Sequence, residues 1–128
     1  MFDSMVAAYL FSFLIGIAVA FQLALAIGMP WGEMAMGGKF PGRFPVAMRI
    51  AALFQILLLL SFALIVLARA NLALPEYFEF SAYAIWIVVF FSFISAVLNT
   101  ITPSKKERML WSPVAIGLLI CSIIVAVD

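Results

Sequence analysis

The sequence contains no histidine and only one cysteine in 128 residues. The lack of histidine removes the commonest ligand of haem and zinc and the commonest general base near neutral pH. The single cysteine, Cys121, excludes an internal disulfide and any relay of electrons through a cysteine pair. We interpret it as a small hydrophobic residue packed within a helix. No cofactor and no metal site are therefore expected.

Charge is also scarce. Charged residues make up 10% of the chain and hydrophobic residues 68%. In soluble domains about a quarter of the residues are charged and about half are apolar. The charged residues lie in loops or at the termini and leave four uncharged segments: 4–32, 50–68, 80–104 and 109–127. Each is near or above the roughly 18 to 20 residues that cross a hydrocarbon core. The sequence therefore predicts an all-α membrane protein with a single transmembrane domain over 1–128.

The predicted architecture is an antiparallel four-helix transmembrane bundle. We expect helices at about 5–28, 46–69, 75–99 and 104–127, joined on one side by loops 29–45 and 99–110. Pro75 suits a first helical turn. Ser104 and Glu107 have the spacing of a capping box, and a start there places Pro113 inside the fourth helix, where a kink is expected. No Lys or Arg precedes the first segment, and its length exceeds that of a signal peptide core, so we expect it to remain in the mature protein.

The cations indicate an orientation. Six of the seven lie in the two loops on one side, and Arg69 is the only one on the other. The positive-inside rule therefore predicts cytoplasmic loops with both termini outside, an N-out and C-out topology. The net charge of +1 gives no indication of a nucleic-acid partner.

Small residues recur at every fourth position of the first helix, which allows close approach of another helix in lipid. This small-residue lane continues from Ala8 through Ser12, Gly16, Ala20, Ala24 and Gly28. Because an i, i+4 series rotates by about 40° per step, no single straight partner can contact the whole lane.

Five of the polar side chains within the spans lie toward the loop side of the predicted bundle and are candidate site residues. They are Gln22, Gln55, Ser92, Ser95 and Asn99. Gln22 and Gln55 are expected at similar depth. One interpretation is a structural interhelical hydrogen bond between these two amides, worth roughly 0.6 to 2 kcal/mol. The other is that all five side chains line a polar pocket that faces the cytoplasm.

The first loop combines glycines, prolines and aromatic residues with cations. Its length indicates a functional or disordered segment, and its apolar anchors favour an ordered one that folds back under the bundle. Lys39, Arg43 and Arg49 are candidates for contact with a lipid headgroup or another anion, helped by a backbone nest at 37–39. For the cytoplasmic acids Glu33 and Glu107, pairing with arginines at 43, 49 or 108 is plausible.

Several short motifs, spread over nearly the whole chain, are the basis of a resemblance to other membrane proteins. The motifs are Pro30-Trp31-Gly32, Gly37-Gly38, Pro41-Gly42, Arg49, Gln55, Asn99, Thr102-Pro103-Ser104, Glu107-Arg108 and Trp111-Ser112-Pro113. In these the chain resembles uncharacterised small four-helix bacterial integral membrane proteins. The resemblance implies a common fold and a bacterial cytoplasmic (inner) membrane location, but no activity. The chain is unlike the small multidrug exporters, which place a glutamate within the first helix.

Of three functions compatible with these features, we predict the first, keep the second as the alternative, and do not expect an enzyme. The first is a non-enzymatic interaction or scaffold module that packs through the first helix and the cytoplasmic loops, with membrane lipids, a second copy or another membrane protein as partner. The second is a small transporter or channel for a neutral or weakly polar solute, with Gln22, Gln55, Ser92 and Asn99 along its path. The third is a lipid-active enzyme that uses the first-loop cations with Glu33 or Glu107, although no nucleophile is paired with a base.

Overall fold

A computed structural model describes residues 3–128, which form an all-helical protein. The helices are α1 (Ser4–Ala26), α2 (Val46–Arg69), α3 (Phe78–Ile101) and α4 (Lys105–Val127). All four are long and apolar enough to cross a membrane, as in a multi-pass membrane protein. Short 3-10 turns lie at Gly32–Met34, Met36–Gly38 and Pro75–Tyr77, and the last of these leads directly into α3. Pro75 therefore begins a 3-10 turn where the sequence suggested the first turn of the α-helix.

The end of α1 is set by Gly28. This residue has a φ of 100°, its amide donates to the carbonyl of Leu25, and the amide of Met29 donates to that of Ala24. The two bonds form a Schellman motif, which glycine favours because it has no Cβ. The expectation that Gly28 belongs to a helical packing lane is therefore wrong: Gly28 lies beyond the last helical residue.

The start of α4 follows from local sequence. Ser104 is the N-cap, and its Oγ accepts a hydrogen bond of 3.2 Å from the amide of Glu107. This is one half of the predicted capping box. The other half does not form, because the Glu107 carboxylate bonds to residues outside the box. The helix continues through Pro113 as an interior residue.

The larger of the two buried clusters joins the first halves of α1 and α3 to the second halves of α2 and α4. It contains small residues and large ones together: Ala7, Ala8, Phe11, Ile15, Leu59, Phe62, Ala63, Val66, Ile85, Val88, Leu118, Cys121 and Val125. We call this region the terminal half, because it lies beside both chain ends. The other half, next to the two connections at 27–45 and 102–104, is the loop half.

Candidate functional site

The loop half contains a cavity of about 930 Å³. All four helices and the 27–45 connection contribute to its wall, which is mainly apolar. Phe11, Ile15, Leu59, Phe62 and Leu118 belong both to this wall and to the packed cluster, so the cavity ends where the terminal half begins. A volume of this size is typical of small-molecule sites, which measure about 300 to 1,000 Å³.

The five polar residues singled out from the sequence all lie on the wall of this cavity. Gln22 is on α1, Gln55 on α2, and Ser92, Ser95 and Asn99 on α3. The fold thus brings together, around one space, side chains that are separated by up to 77 positions, from 22 to 99. The sequence could suggest this grouping because hydropathy fixes the helices and their loops fix approximate depth.

Gln22 and Gln55 do not hydrogen-bond to each other. Within the described residues neither side-chain amide has a hydrogen-bond partner, and neither is among the fully buried polar groups that lack one. Both amides therefore remain available to a molecule in the cavity. The interhelical bond that was one interpretation of this pair is absent.

Asn99 is held by its own helix. Its Nδ2 donates to the carbonyl of Ser95 at 2.7 Å and to the Ser95 hydroxyl at 3.2 Å. The donor side of the amide is thus occupied, whereas its carbonyl oxygen accepts no bond from any described residue. Asn99 therefore contributes an acceptor to the wall.

Most of the exposed wall residues lie on α2 and α3, from which we infer a lateral opening between these helices. The cavity's wall residues on these helices include many exposed ones: Ala51, Gln55, Leu58, Phe91, Ile94, Leu98 and Ile101. By contrast, its wall residues on α1 and α4 are buried or half-buried. The rings of Phe62 and Phe91, with centroids 5.8 Å apart, join α2 to α3 at the inner end of the opening. Most of the exposed residues are apolar, so the opening suits lipid better than water.

The 27–45 connection covers part of the loop end of the cavity through contacts to the start of α4, while its wall residues Met36 and Lys39 are exposed. The amide of Gly37 donates to Glu107 Oε1 at 3.1 Å, and the Ser104 hydroxyl donates to the carbonyl of Glu33 at 2.5 Å. Lys106 Nζ also forms an ion pair with Glu33 Oε1 at 2.6 Å. Glu33 thus pairs with a lysine, and the expected pairing of Glu33 with an arginine is absent. We call these contacts the loop junction.

Glu107 is the acidic residue of the cavity wall, and sequence reasoning missed this role. Its side chain is 8% exposed. Oε1 accepts bonds from the Gly37 amide and the Thr102 hydroxyl, whereas Oε2 has no partner among the described residues. No described cation lies within ion-pair distance of it, since Arg108 donates to the carbonyl of Thr102 instead. The sequence singled out Glu107 for its capping-box spacing and as a cytoplasmic acid, but neither feature placed it beside the polar residues of the spans.

The three candidate anion-binding cations are divided among different tasks. Arg49 Nε donates to the carbonyl of Ala26 at 2.8 Å, which satisfies an open carbonyl at the end of α1. The guanidinium of Arg43 lies against Gly28 at that same helix end, where a cation is favourable. Lys39 is exposed and lies on the cavity wall. The Gly37 amide of the proposed nest binds the carboxylate of Glu107. Contact of these cations with a lipid headgroup stays a prediction.

The small-residue lane of α1 does not face a single neighbour. Ala8 is fully buried, whereas Gly16 and Ala20 are exposed. A Cβ added at Gly16 would meet no atom within 4 Å. The Ser12 hydroxyl is buried without a partner among the described residues. Within one chain, the middle of the lane is thus open.

Gly32 provides a test of the ordered first connection. Its amide donates to the carbonyl of Gly42 at 2.8 Å, and an added Cβ would collide with the backbone carbonyls of Phe40 and Gly42. Gly32→Ala is therefore expected to lower the free energy of unfolding by about 1 to 3 kcal/mol, as overpacking does. Thermal unfolding in detergent measures this effect. Gly16→Ala is the matched control, because its added methyl enters open space; an equal loss in both variants would contradict the packing at Gly32.

No family model matches the chain, and no curated protein and no solved structure matches it either. Within residues 3–128, no three His, Cys, Asp or Glu side chains are grouped so that they could hold a metal ion. The function must therefore be inferred from the cavity and its surroundings.

Proposed function

We propose that this protein is a small membrane transport protein that binds a mainly apolar molecule with a polar end in the cavity of its loop half. The observation that carries the proposal is the convergence of five polar side chains on one cavity of about 930 Å³ with an otherwise apolar wall. A few convergent polar groups in an apolar pocket are the usual composition of a small-molecule site. The role is binding and movement of a molecule, without catalysis.

The position of the cavity favours a carrier over an open channel. The terminal half is filled by its packed cluster, so the cavity has no continuation toward the chain ends. A carrier needs a site that opens to one side at a time, whereas a channel needs a continuous path. The loop half then corresponds to the open side.

The orientation belongs to the same proposal. Six of the seven cations lie in or beside the two connections of the loop half, and the positive-inside rule puts these in the cytoplasm, with antiparallel helices and both termini outside. In a bacterial cytoplasmic membrane, the cavity would face the cytoplasmic half of the bilayer. Its contents would then be drawn from that leaflet or from the cytoplasm.

The two free amides provide the test of binding. We expect the Gln22→Leu, Gln55→Leu double variant to bind the neutral fluorescent probe 1-aminoanthracene about fivefold to 150-fold more weakly, because two lost hydrogen bonds at about 0.5 to 1.5 kcal/mol each amount to about 1 to 3 kcal/mol of binding free energy. Saturable fluorescence enhancement in lipid nanodiscs, corrected with empty nanodiscs, measures the affinity. Ser61→Ala is the control, since Ser61 is exposed and bonds to its own helix at Leu57. No saturable binding, or the same affinity in all three proteins, would contradict the proposal.

The open middle of the α1 lane favours a second role, an interaction module that binds another copy or a membrane-protein partner. Gly16 and Ala20 would allow a second helix to approach closely in lipid. Gly16→Leu is then expected to replace the dimer by a monomer in native mass spectra recorded from lipid. Binding of 1-aminoanthracene should remain unchanged in this variant. A protein that is monomeric before the substitution and has no co-purifying partner would exclude this role.

A further inference from the structure

The cavity wall changes in polarity along its length. Its inner end is apolar, with Phe11, Phe62 and Leu118. Polar but uncharged side chains follow, and at the loop end the wall carries Glu107 and Lys39. This order of apolar, polar and charged surfaces matches a molecule with one apolar chain and one polar head.

The carboxylate at the loop end has no described cation as partner, although it lies in the first turn of α4, where the helix dipole favours negative charge. Glu107 is more than nine-tenths buried and its Oε1 is held by two neutral donors, whereas its Oε2 has no described partner and is not among the fully buried atoms that lack one, so this oxygen remains accessible. A buried carboxylate without a cation is costly, because neutral hydrogen bonds replace only part of its hydration. A cation placed at Oε2 would offset that cost.

The nearest candidates within the chain do not supply this cation. Arg108 donates to a backbone carbonyl and Lys106 pairs with Glu33. Lys39 is exposed, so its ammonium can remain in water. The same wall also offers acceptor oxygens on Asn99 and Gln55 and one buried donor without a described partner, Nε1 of Trp111.

We infer that the molecule bound in the cavity is a single-chain amphiphile with an amine head, which enters from the bilayer between α2 and α3. The head is held by Glu107 Oε2 beneath the loop junction, and the chain lies along the apolar wall toward Phe62 and Leu118. The exposed apolar wall residues of α2 and α3 give the chain a route that keeps it within apolar surroundings. The inference rests on the proposed function and adds to it the chemical class of the molecule and its route.

Three probes with the same chain and different heads test this inference. Dodecylamine, 1-dodecanol and laurate are each titrated into the full-length protein in detergent, and one-to-one adducts are counted by native mass spectrometry. We expect dodecylamine to bind about tenfold more tightly than dodecanol, which lacks the charge, and laurate to bind most weakly. The preference of the unaltered protein for the amine is itself a test, and it does not depend on any variant folding.

Glu107→Gln identifies the group responsible. Glutamine keeps an oxygen that can accept hydrogen bonds from the Gly37 amide and the Thr102 hydroxyl, so we expect the loop junction to be retained. An unchanged melting temperature of the variant checks this. Affinity for dodecylamine is expected to fall about tenfold and affinity for dodecanol to change less than about threefold. Glu79→Gln, on α3 away from the cavity wall, is the control and leaves both affinities unchanged.

The outcomes separate the two proposals. Equal binding of amine and alcohol, or an amine preference that survives Glu107→Gln, overturns the amine-head inference but leaves the cavity as a binding site. Absence of saturable one-to-one binding for all three probes, together with no binding of 1-aminoanthracene, overturns the proposed function as well.

Discussion

Replacing Ala51 with tryptophan is expected to weaken binding of any molecule in the cavity by at least about tenfold. Ala51 is exposed, lies on α2 and belongs to the cavity wall at the opening. An indole there enters the space between α2 and α3 without displacing a buried neighbour, so it obstructs the opening and leaves the fold intact. A tenfold loss of affinity corresponds to about 1.4 kcal/mol of binding free energy. This is less than the binding free energy lost when part of a ligand is forced out of its pocket.

Leu53→Trp is the matched control for this substitution. Leu53 lies two residues further along the same helix, is 49% exposed and does not belong to the cavity wall. Both variants add an indole to the outside of α2, so nonspecific effects on insertion or on the lipid are shared. The affinity for 1-aminoanthracene should fall in Ala51→Trp alone; a similar affinity in both variants would mean that the opening is not the route to the site.

Phe11→Ala is expected to cause the largest loss of stability among single substitutions in α1, about 3 to 5 kcal/mol. Phe11 is fully buried within the cluster of the terminal half and also borders the inner end of the cavity. Truncation removes its contacts within the cluster and leaves a void that the surrounding side chains fill only in part. The free energy of unfolding, measured by denaturant titration in mixed micelles, reports this loss.

Phe13→Ala provides the comparison within the same helix. Phe13 is 65% exposed, so its ring contacts lipid rather than another helix. We expect its substitution to change stability by no more than about 0.5 kcal/mol, as for surface positions without special contacts. Equal losses of stability in Phe11→Ala and Phe13→Ala would contradict the assignment of Phe11 to the face of α1 that packs into the cluster.

Features that depend on short segments were predictable from the sequence. The four spans follow from the position of the charges, because a charged residue in the middle of a span would have to enter hydrocarbon, whereas one at a helix end does not. The start of α4 at Ser104 follows from the preference of serine for the N-cap. The end of α1 was placed two residues too late, since Gly28 is compatible both with a helical lane and with a Schellman cap.

Features that depend on contacts between distant segments were not predictable. Glu107 meets Gly37 across 70 positions, and only the folded connection brings them together. Arg49 caps α1 from 23 positions away, whereas the charge pattern alone suggested a lipid contact. The polar residues were identified from their type and depth, but the opening between α2 and α3 depends on how these two helices separate in the loop half.

The measurement that tests the central claim most directly is quenching of Trp111 by a bound amphiphile. Trp111 lies on the cavity wall one turn after Glu107, so the Trp31→Phe, Trp86→Phe variant reports from inside the site. Dodecylamine brominated near the middle of its chain is titrated into this variant in nanodiscs. A matched variant that retains only Trp86, which is 50% exposed and lies away from the cavity wall, reports partition into lipid. We expect quenching of Trp111 to saturate and to be reversed when unbrominated dodecylamine is added. Quenching of Trp86 should instead rise linearly with the probe and should not be reversed by the competitor. Linear quenching of both tryptophans would show that the cavity holds no ligand.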